Sequence, residues 1–347
     1  MRTPVSIGVV GLDSLAIELA QTFDELPQAQ LARIYDPRPS IQLRASRRFP
    51  RAATCRSADD ILDDETVDAI VLAAAAPGRA LFARRALEAG KHVLMRGPLA
   101  LDGAEADDLV QLAASQDRRL LVENAALFLP ELRKLKELIE LGRLGELFYV
   151  SAEHTDPSDL SHAESVVWTL GAPPVSLLLY LLDDEPVEVV ARADAFVHES
   201  ADVVFCHFRF ATGIVAHLQL SRLDRRHARR IEVVGSNRMA VYDGLDPYQP
   251  LAVDQSRLTI AADGTAAVRI GDIVSPRAVR AWPMRLQCEH FVAAIRAPAD
   301  TTPTRRDAAV VRILEALQRS GCEEGAAVGV DEPAAFETGV IELSSRR

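Results

Sequence analysis

The chain opens on an alternation of short apolar runs and helix-period segments, which narrows its possible folds more than any other feature. Residues 5–10 form an apolar run that stops at Gly11, and residues 14–23 then space their apolar side chains as a helix does. Residues 31–35 read as a second strand closed by Asp36-Pro37, and residues 67–74 as a buried one. Residues 79–89 read as a helix closed by Gly90, 92–95 as a strand, 104–115 as a helix and 120–122 as a strand. Repeated β-α order predicts an α/β domain over residues 1–125, a doubly wound parallel sheet with helices on both faces. From about residue 147 the pattern changes. A strand at 148–154 and a long apolar helix at 165–182 precede strands at 187–197, 203–210, 214–220 and 231–234. Ala211-Thr212-Gly213 is a hairpin signal between two of them. Closing helices are expected at 286–295 and 308–319. The expectation for 126–322 is an α+β domain with an open, mostly antiparallel sheet. The Gly-, Ala- and acid-rich stretch 323–347 has weak periodicity and is expected to be a flexible tail.

A length of 347 residues suits two such domains, and 48% hydrophobic residues suffice to bury their cores. The net charge of −11 and the absence of any basic tract argue against a nucleic-acid partner. No apolar run approaches the roughly 20 residues that span a bilayer, so no membrane role is expected. The N-terminal residues enter a strand at once, without a signal-peptide layout. Cys55, Cys206, Cys288 and Cys322 lie far apart with no metal-ligand spacing, and reduced thiols in a cytoplasmic protein are expected.

A strand ending in Gly11 and opening a helix is where a dinucleotide-binding Rossmann unit carries G-x-G-x-x-G. Asp36, at the end of the second strand, holds the position that hydrogen-bonds the adenosine ribose. In Gly11-Leu12-Asp13-Ser14-Leu15-Ala16 the first glycine is kept, the second is Asp13 and the third is Ala16, which the pattern allows. The second glycine lets backbone approach the pyrophosphate; an aspartate adds bulk and negative charge. At about 4 Å and an effective dielectric near 20, like charges repel by roughly 4 kcal/mol. The same residue is a good helix N-cap, using the N–H groups a phosphate would use. Asp36 either caps the turn at Pro37 or serves a ribose. The positions a cofactor would touch are Gly11, Asp13, Ser14, Asp36, Arg38 and Pro98.

Further segments are Ala86-Leu87-Glu88-Ala89-Gly90-Lys91-His92-Val93-Leu94, Leu132-Arg133-Lys134-Leu135-Lys136-Glu137-Leu138-Ile139 and Gly142-Arg143-Leu144-Gly145-Glu146-Leu147. Trp168, residues 176–182, Thr212-Gly213, Glu232-Val233-Val234-Gly235-Ser236 and Cys288-Glu289-His290-Phe291 complete the set. In this order they resemble the glucose–fructose oxidoreductase and inositol dehydrogenase family, Gfo/Idh/MocA, over about residues 5–320. The likeness is closest to members acting on nucleotide-linked sugars. It implies a Rossmann domain, a substrate domain whose open sheet builds a homodimer or homotetramer, bound NAD or NADP, and hydride transfer at a sugar hydroxyl.

The family's working positions are altered. Its Cys-Glu-Lys-Pro is Met95-Arg96-Gly97-Pro98, so the lysine that would bond the reacting hydroxyl is Gly97. Arg96 stays protonated near neutrality and is a poor base. The aspartate after Trp168 is Thr169, and the histidine four residues on is Pro173. The Thr-Pro-x-x-x-His segment is changed around Ala76-Pro77-Gly78-Arg79-Ala80, and a later substrate-side segment reads Glu123-Asn124-Ala125-Ala126.

The richest polar cluster is Glu153-His154-Thr155-Asp156 with Asp159, His162 and Glu164, expected to be a polar loop rather than a metal site. His154, His162 and Glu123 are the replacement acid/base candidates. Arg222, Arg225, Arg226, Arg229 and Arg230 read as a solvated strand edge or oligomer contact, with a phosphate grip as the alternative. Cys206 and His207 share a strand and therefore face opposite ways. The favoured expectation is a divergent family member that has lost NAD(P)-dependent dehydrogenase chemistry. Such a chain binds a sugar-like ligand or partners an active enzyme as a hetero-oligomer. The alternatives are a sugar or nucleotide-sugar dehydrogenase with relocated catalytic residues, and a non-redox lyase, isomerase or cyclase.

Overall fold

The computed structural model describes residues 3–73, 78–260, 265–278, 281–298 and 300–331. Packing gathers the chain into two compact units, Met1–Phe128 with Ala281–Val311, and Leu129–Arg280 with Arg312–Arg347.

The first unit is built on strands β1 (Val5–Val10), β2 (Ala29–Tyr35), β3 (Ala53–Thr54), β4 (Ala69–Leu72), β5 (His92–Arg96) and β6 (Leu120–Glu123). They form a six-stranded sheet in the order β3-β2-β1-β4-β5-β6, and every pairing is parallel. Helices α1 (Ser14–Glu25), α2 (Pro39–Arg48), α3 (Asp59–Leu62), α4 (Arg79–Glu88) and α5 (Gly103–Ser115) connect them. Strands covered on both faces are apolar throughout, and β4 is buried at every residue. The order reverses between β1 and β4, which makes their carboxyl ends the place to look for a site. Lys91 and His92, part of the stretch that carried the family resemblance, are interior. The Lys91 ammonium donates to the carbonyls of Asp64 and Val67 at 2.7 and 2.8 Å. His92 Nδ1 accepts from Arg119 N at 2.9 Å, and burial pushes its imidazole down to about 4.

The second unit begins with α6 (Pro130–Glu140) and β7 (Leu147–Thr155), followed by α7 (Val166–Leu170) and α8 (Ala172–Leu182). Strands β8 (Pro186–Asp194), β9 (Val203–Phe210), β10 (Val215–Ser221), β11 (Ala228–Gly235), β12 (Met239–Asp243) and β13 (Leu251–Asp254) follow. After the hairpin β14 (Arg257–Ile260)–β15 (Ala266–Arg269) come β16 (Ile273–Val274) and, near the end, β17 (Val328–Gly329). The nine-stranded sheet runs β16-β13-β12-β11-β7-β10-β9-β8-β17, with β7–β10 its one parallel pair. Strand β9 alternates cleanly: Val204, Cys206, Phe208 and Phe210 are buried, while Phe205, His207 and Arg209 are exposed. One face is thus a core and the other is open.

Three readings of the sequence are corrected. The apolar segment 165–182 is two helices, not one. Pro173 and Pro174 supply no N–H for a continuous ladder, and a Cβ at Gly171 would strike the Val167 carbonyl and Leu314. Helix α9 (Pro283–Arg296), placed by sequence in the second domain, belongs to the first unit. Its Phe291 meets Phe23 of α1 edge-on at 6.3 Å, and Arg119 donates to Ala294 O and Ala297 O at 2.9 and 2.7 Å. Part of the expected tail is structured: Val328 and Gly329 pair with Val189 and Glu188 of β8. Residues 332–347 lie outside the described residues.

The last helix, α10 (Thr302–Cys322), carries Asp307, whose Oδ2 accepts from Val122 N at 3.1 Å. Burial pushes this carboxyl up to about 7. A carboxylate raised in the folded state contributes stability below its unfolded value, near 4, and loses it as pH rises through the folded value. Asp307→Asn keeps an acceptor for Val122 N and removes the titration. Urea unfolding across pH is therefore expected to show wild-type stability falling between about pH 4 and 7 relative to the variant. Parallel curves would show that Asp307 does not titrate there.

Candidate functional site

Gly11 closes β1 with a φ of 83°, the left-handed region that favours glycine, and hands the chain to α1. The amide groups that follow face the carboxyl edge of the sheet, and the chain's own carboxylates take two of them. Asp13 is the N-cap of α1, its Oδ1 accepting from Ala16 N at 2.9 Å. Its other oxygen, Oδ2, pairs with Arg96 Nη1 at 2.6 Å. Arg96 ends β5, so its side chain crosses the end of β4, which lies between β1 and β5, to reach Asp13.

Asp36 is almost fully buried at the end of β2. Its Oδ2 accepts from Leu12 N at 2.8 Å and Arg38 Nη2 at 2.7 Å. Its Oδ1 accepts from Arg38 N at 2.9 Å and Arg38 Nε at 2.8 Å. Burial works to raise this carboxyl, but the Arg38 and Leu12 bonds outweigh it and hold it below the usual carboxylate range. Both oxygens thus carry two donors. A ribose would have to displace some of them, and the turn after Pro37 is held by this carboxylate. Ser14 is exposed in the first turn of α1. Beside α1 and α2 lies a cavity of about 640 Å3 bordered by Asp13, Ser14, Glu18, Arg38, Arg44 and Arg48.

Further along the edge, Gly97 and Pro98 follow β5 through a cis peptide, and their carbonyls accept from Arg79 Nη2 at 3.0 and 3.1 Å. Burial, with Arg96 nearby, lowers the Arg79 guanidinium to about 10. Of the altered Ala76-Pro77-Gly78-Arg79-Ala80 segment, Ala76 and Pro77 lie outside the described residues. Glu123 ends β6 in register with Arg96. Burial raises its carboxyl, against the Ala125 N–H at 3.1 Å and the charge of Arg96. The first unit therefore gathers Asp13, Arg96 and Glu123 at one edge, an alternation of charge rather than an acid/base pair.

In the second unit, Thr169 donates from Oγ1 to Asp159 Oδ2 at 2.7 Å, and Pro173 is exposed in the first turn of α8. Burial raises the Asp159 carboxyl, against Thr169 and Arg222. His154 lies on β7, where burial and the charge of Arg229 push its imidazole down to about 4, far from the match a base at neutral pH needs. The His162 side chain is exposed, and no hydrogen bond or ion pair joins it to His154. Asp156 caps the following turn through Ser158 N at 2.9 Å and lies 3.4 Å from His227.

Arg222 overturns the reading of the arginine stretch as wholly solvated. It is the largest fully buried side chain among the described residues. Its Nη groups donate to the carbonyls of His162 and Glu164, and its Nε lies 3.5 Å from Asp159 and 3.6 Å from Asp202. Arg225, Arg226, Arg229 and Arg230 are exposed, as read. Sequence reasoning missed Arg222 and the Arg96–Asp13 pair. The available signal was opposite charge at the carboxyl ends of strands that the β-α order already placed at one edge.

Residues 5–124 match the family model described as the oxidoreductase family with an NAD-binding Rossmann fold, and residues 132–241 match the GFO/IDH/MocA C-terminal domain. The chain belongs to the Gfo/Idh/MocA family. Among relatives, UDP-N-acetylglucosamine 3-dehydrogenase of Acidithiobacillus ferrooxidans is 28% identical over 71% of this chain and 75% of its own. Inositol 2-dehydrogenase of Rhizobium meliloti is 23% identical over 92% of this chain and 98% of its own. An oxidoreductase domain protein from Kribbella flavida superposes with a TM-score of 0.81 at 21% identity, over 95% of this chain and all of that one, which establishes the fold. Within the family frame, α1 of the present chain meets the sheet edge with a carboxylate where a close backbone approach is the rule.

The cap is testable by itself. Asp13→Ala is expected to lower stability by about 1 kcal/mol, and Asp13→Gly by only a few tenths, in chemical denaturation. Equal, unchanged stabilities would show that Asp13 does not cap α1.

Proposed function

We propose that this chain is a pseudo-oxidoreductase of the Gfo/Idh/MocA family, a ligand-binding or partner subunit that does not perform the family's hydride transfer. The observation that carries this reading is the Asp13–Arg96 pair at 2.6 Å across the amino end of α1. A dinucleotide's pyrophosphate would need the amide groups and the positive helix end that Asp13 already uses. The residues present do not fit that group in the family's manner. The reacting hydroxyl would also find no donor at Gly97, a carboxylate-bound hydroxyl at Thr169 and no titratable group at Pro173.

One observation favours a second reading, an NAD(P)-dependent sugar dehydrogenase with relocated catalytic residues. The cavity beside α1 and α2 carries Arg38, Arg44 and Arg48, which would suit a phosphate-bearing adenosine. Calorimetry with NAD, NADH, NADP and NADPH separates the two. The wild type is expected to bind none of them at micromolar concentration. Asp13→Gly, which frees both the Ala16 amide and the Arg96 guanidinium for a phosphate, is expected to bind at least about tenfold more tightly, a gain of roughly 1.4 kcal/mol. Micromolar binding by the wild type, or turnover of a sugar with either cofactor, would overturn the pseudo-oxidoreductase reading.

A further inference from the structure

The open face of the nine-stranded sheet carries a groove of about 320 Å3 that lies wholly within the second unit. His207 of β9 and His217 of β10 line it together with Tyr149, Glu188, Val190 and Val215. Strands β9 and β10 are antiparallel neighbours, and their register sets the two histidines directly opposite each other. Phe210 N donates to Ile214 O at 3.0 Å where the hairpin closes, so hydrogen-bonded pairs fall at every second step from there. His207 and His217 therefore occupy a non-hydrogen-bonded pair, in which side chains on one face come closest. Their imidazole centres are 4.9 Å apart, with the ring planes inclined at 48°.

That separation is the one a shared metal ion demands. With each nitrogen about 2.1 Å from a tetrahedral ion, two imidazole centres stand roughly 5 Å apart. Phe205 lies nearly parallel to His217, at 6.5 Å and 16°, and helps to hold its ring. His217 Nδ1 is enclosed, which leaves Nε2 as its ligand atom. Metal ligation needs neutral imidazole. Burial and the charge of His207 lower the His217 imidazole from its ordinary value, so it is neutral at neutral pH. At the end of the groove Arg209 clasps Glu188, with Nε and Nη2 each 3.1 Å from a carboxylate oxygen, so no net charge there opposes a dication. Among the described residues no set of three or more His, Cys, Asp and Glu side chains offers a fuller metal centre, and the ion's other positions fall to water. Imidazole nitrogens suit copper, nickel and zinc ions rather than Mg2+, which prefers oxygen.

We propose that His207 and His217 form a two-imidazole site for a divalent late transition-metal ion on the open sheet face of the second unit. The site shares no residue with the edge of the first sheet and does not depend on the reading of that edge.

The test uses the full chain without an affinity tag, stripped with EDTA and titrated calorimetrically with Ni2+, Cu2+ and Mg2+. Cu2+ is expected to bind more tightly than Ni2+, and Mg2+ not at all. The paramagnetic resonance spectrum of the Cu2+ form is expected to show splitting by two imidazole nitrogens. His207→Gln and His217→Gln are each expected to weaken binding at least about tenfold. Both are expected to lose the rise in melting temperature that the metal gives the wild type, while melting as the wild type does in EDTA. His162→Gln and His227→Gln, at exposed histidines outside the groove, are expected to bind as the wild type does. The proposal is overturned if neither Ni2+ nor Cu2+ binds, if either groove variant keeps wild-type affinity, or if the two outside variants weaken binding equally.

Discussion

The first turn of an α-helix leaves backbone N–H groups without intrahelical partners, and in a parallel α/β sheet those groups converge on one edge. Whatever satisfies them decides what that edge can bind. Here the chain satisfies one of them from within, since Asp13 takes the amide of Ala16, and Asp36 takes the amide of Leu12 in the turn just before the helix. The consequences spread outward: Asp36 also fixes Arg38, the residue before α2, and Asp13 draws Arg96 across from β5. The edge is stitched by ion pairs whose members lie as far as 83 residues apart in sequence. A ligand phosphate at this edge competes with carboxylates already in place rather than with water.

The second unit answers a similar demand with the opposite charge. A guanidinium without solvent needs acceptors on all sides, and Arg222 recruits two carbonyls together with the carboxylates of Asp159 and Asp202. That demand has a chemical consequence. Asp159, the carboxylate nearest to Thr169, is held between Arg222 and the Thr169 hydroxyl, so it is a structural acceptor. Asp202, which approaches the same Nε, is equally committed, and its Oδ1 also meets His198 Nδ1. One buried arginine thereby draws both carboxylates into structural roles.

Period and punctuation made most of the fold legible. The strand ending in Gly11, the Thr212-Gly213 hairpin and the alternation in β9 are local signals, and local structure followed them. What stayed hidden depended on partners distant in sequence. The break at Gly171 was written in Pro173 and Pro174, yet the apolar run through Leu182 masked it, because burial on every side carries no period. Helix α9 has an ordinary amphipathic pattern, and only the Phe23–Phe291 contact tells which core receives it. Arg222 stood among four exposed arginines, and composition alone does not separate one buried guanidinium from its solvated neighbours. At the sheet edge, Asp13 was readable as a cap because a cap is local, whereas its neutralisation by Arg96 required the strand order.

The residues that make this chain resemble its family are mostly those whose partners are backbone. Lys91 bonds two carbonyls, His92 accepts a backbone amide, and Gly11 supplies a left-handed turn. Such roles are imposed by the fold, whatever the site does. The altered positions, Asp13, Arg96 and Gly97, lie at the sheet edge rather than in the core, and two of them meet: Asp13 at the start of α1 pairs with Arg96 at the end of β5. A lone substitution at the second glycine would leave an unpaired carboxylate facing a helix that attracts anions. The paired substitution gives that carboxylate both an amide and a guanidinium. The edge is therefore internally consistent as it stands, and the energetic obstacle to a dinucleotide is the breaking of a satisfied network, which relief of charge repulsion alone would not remove.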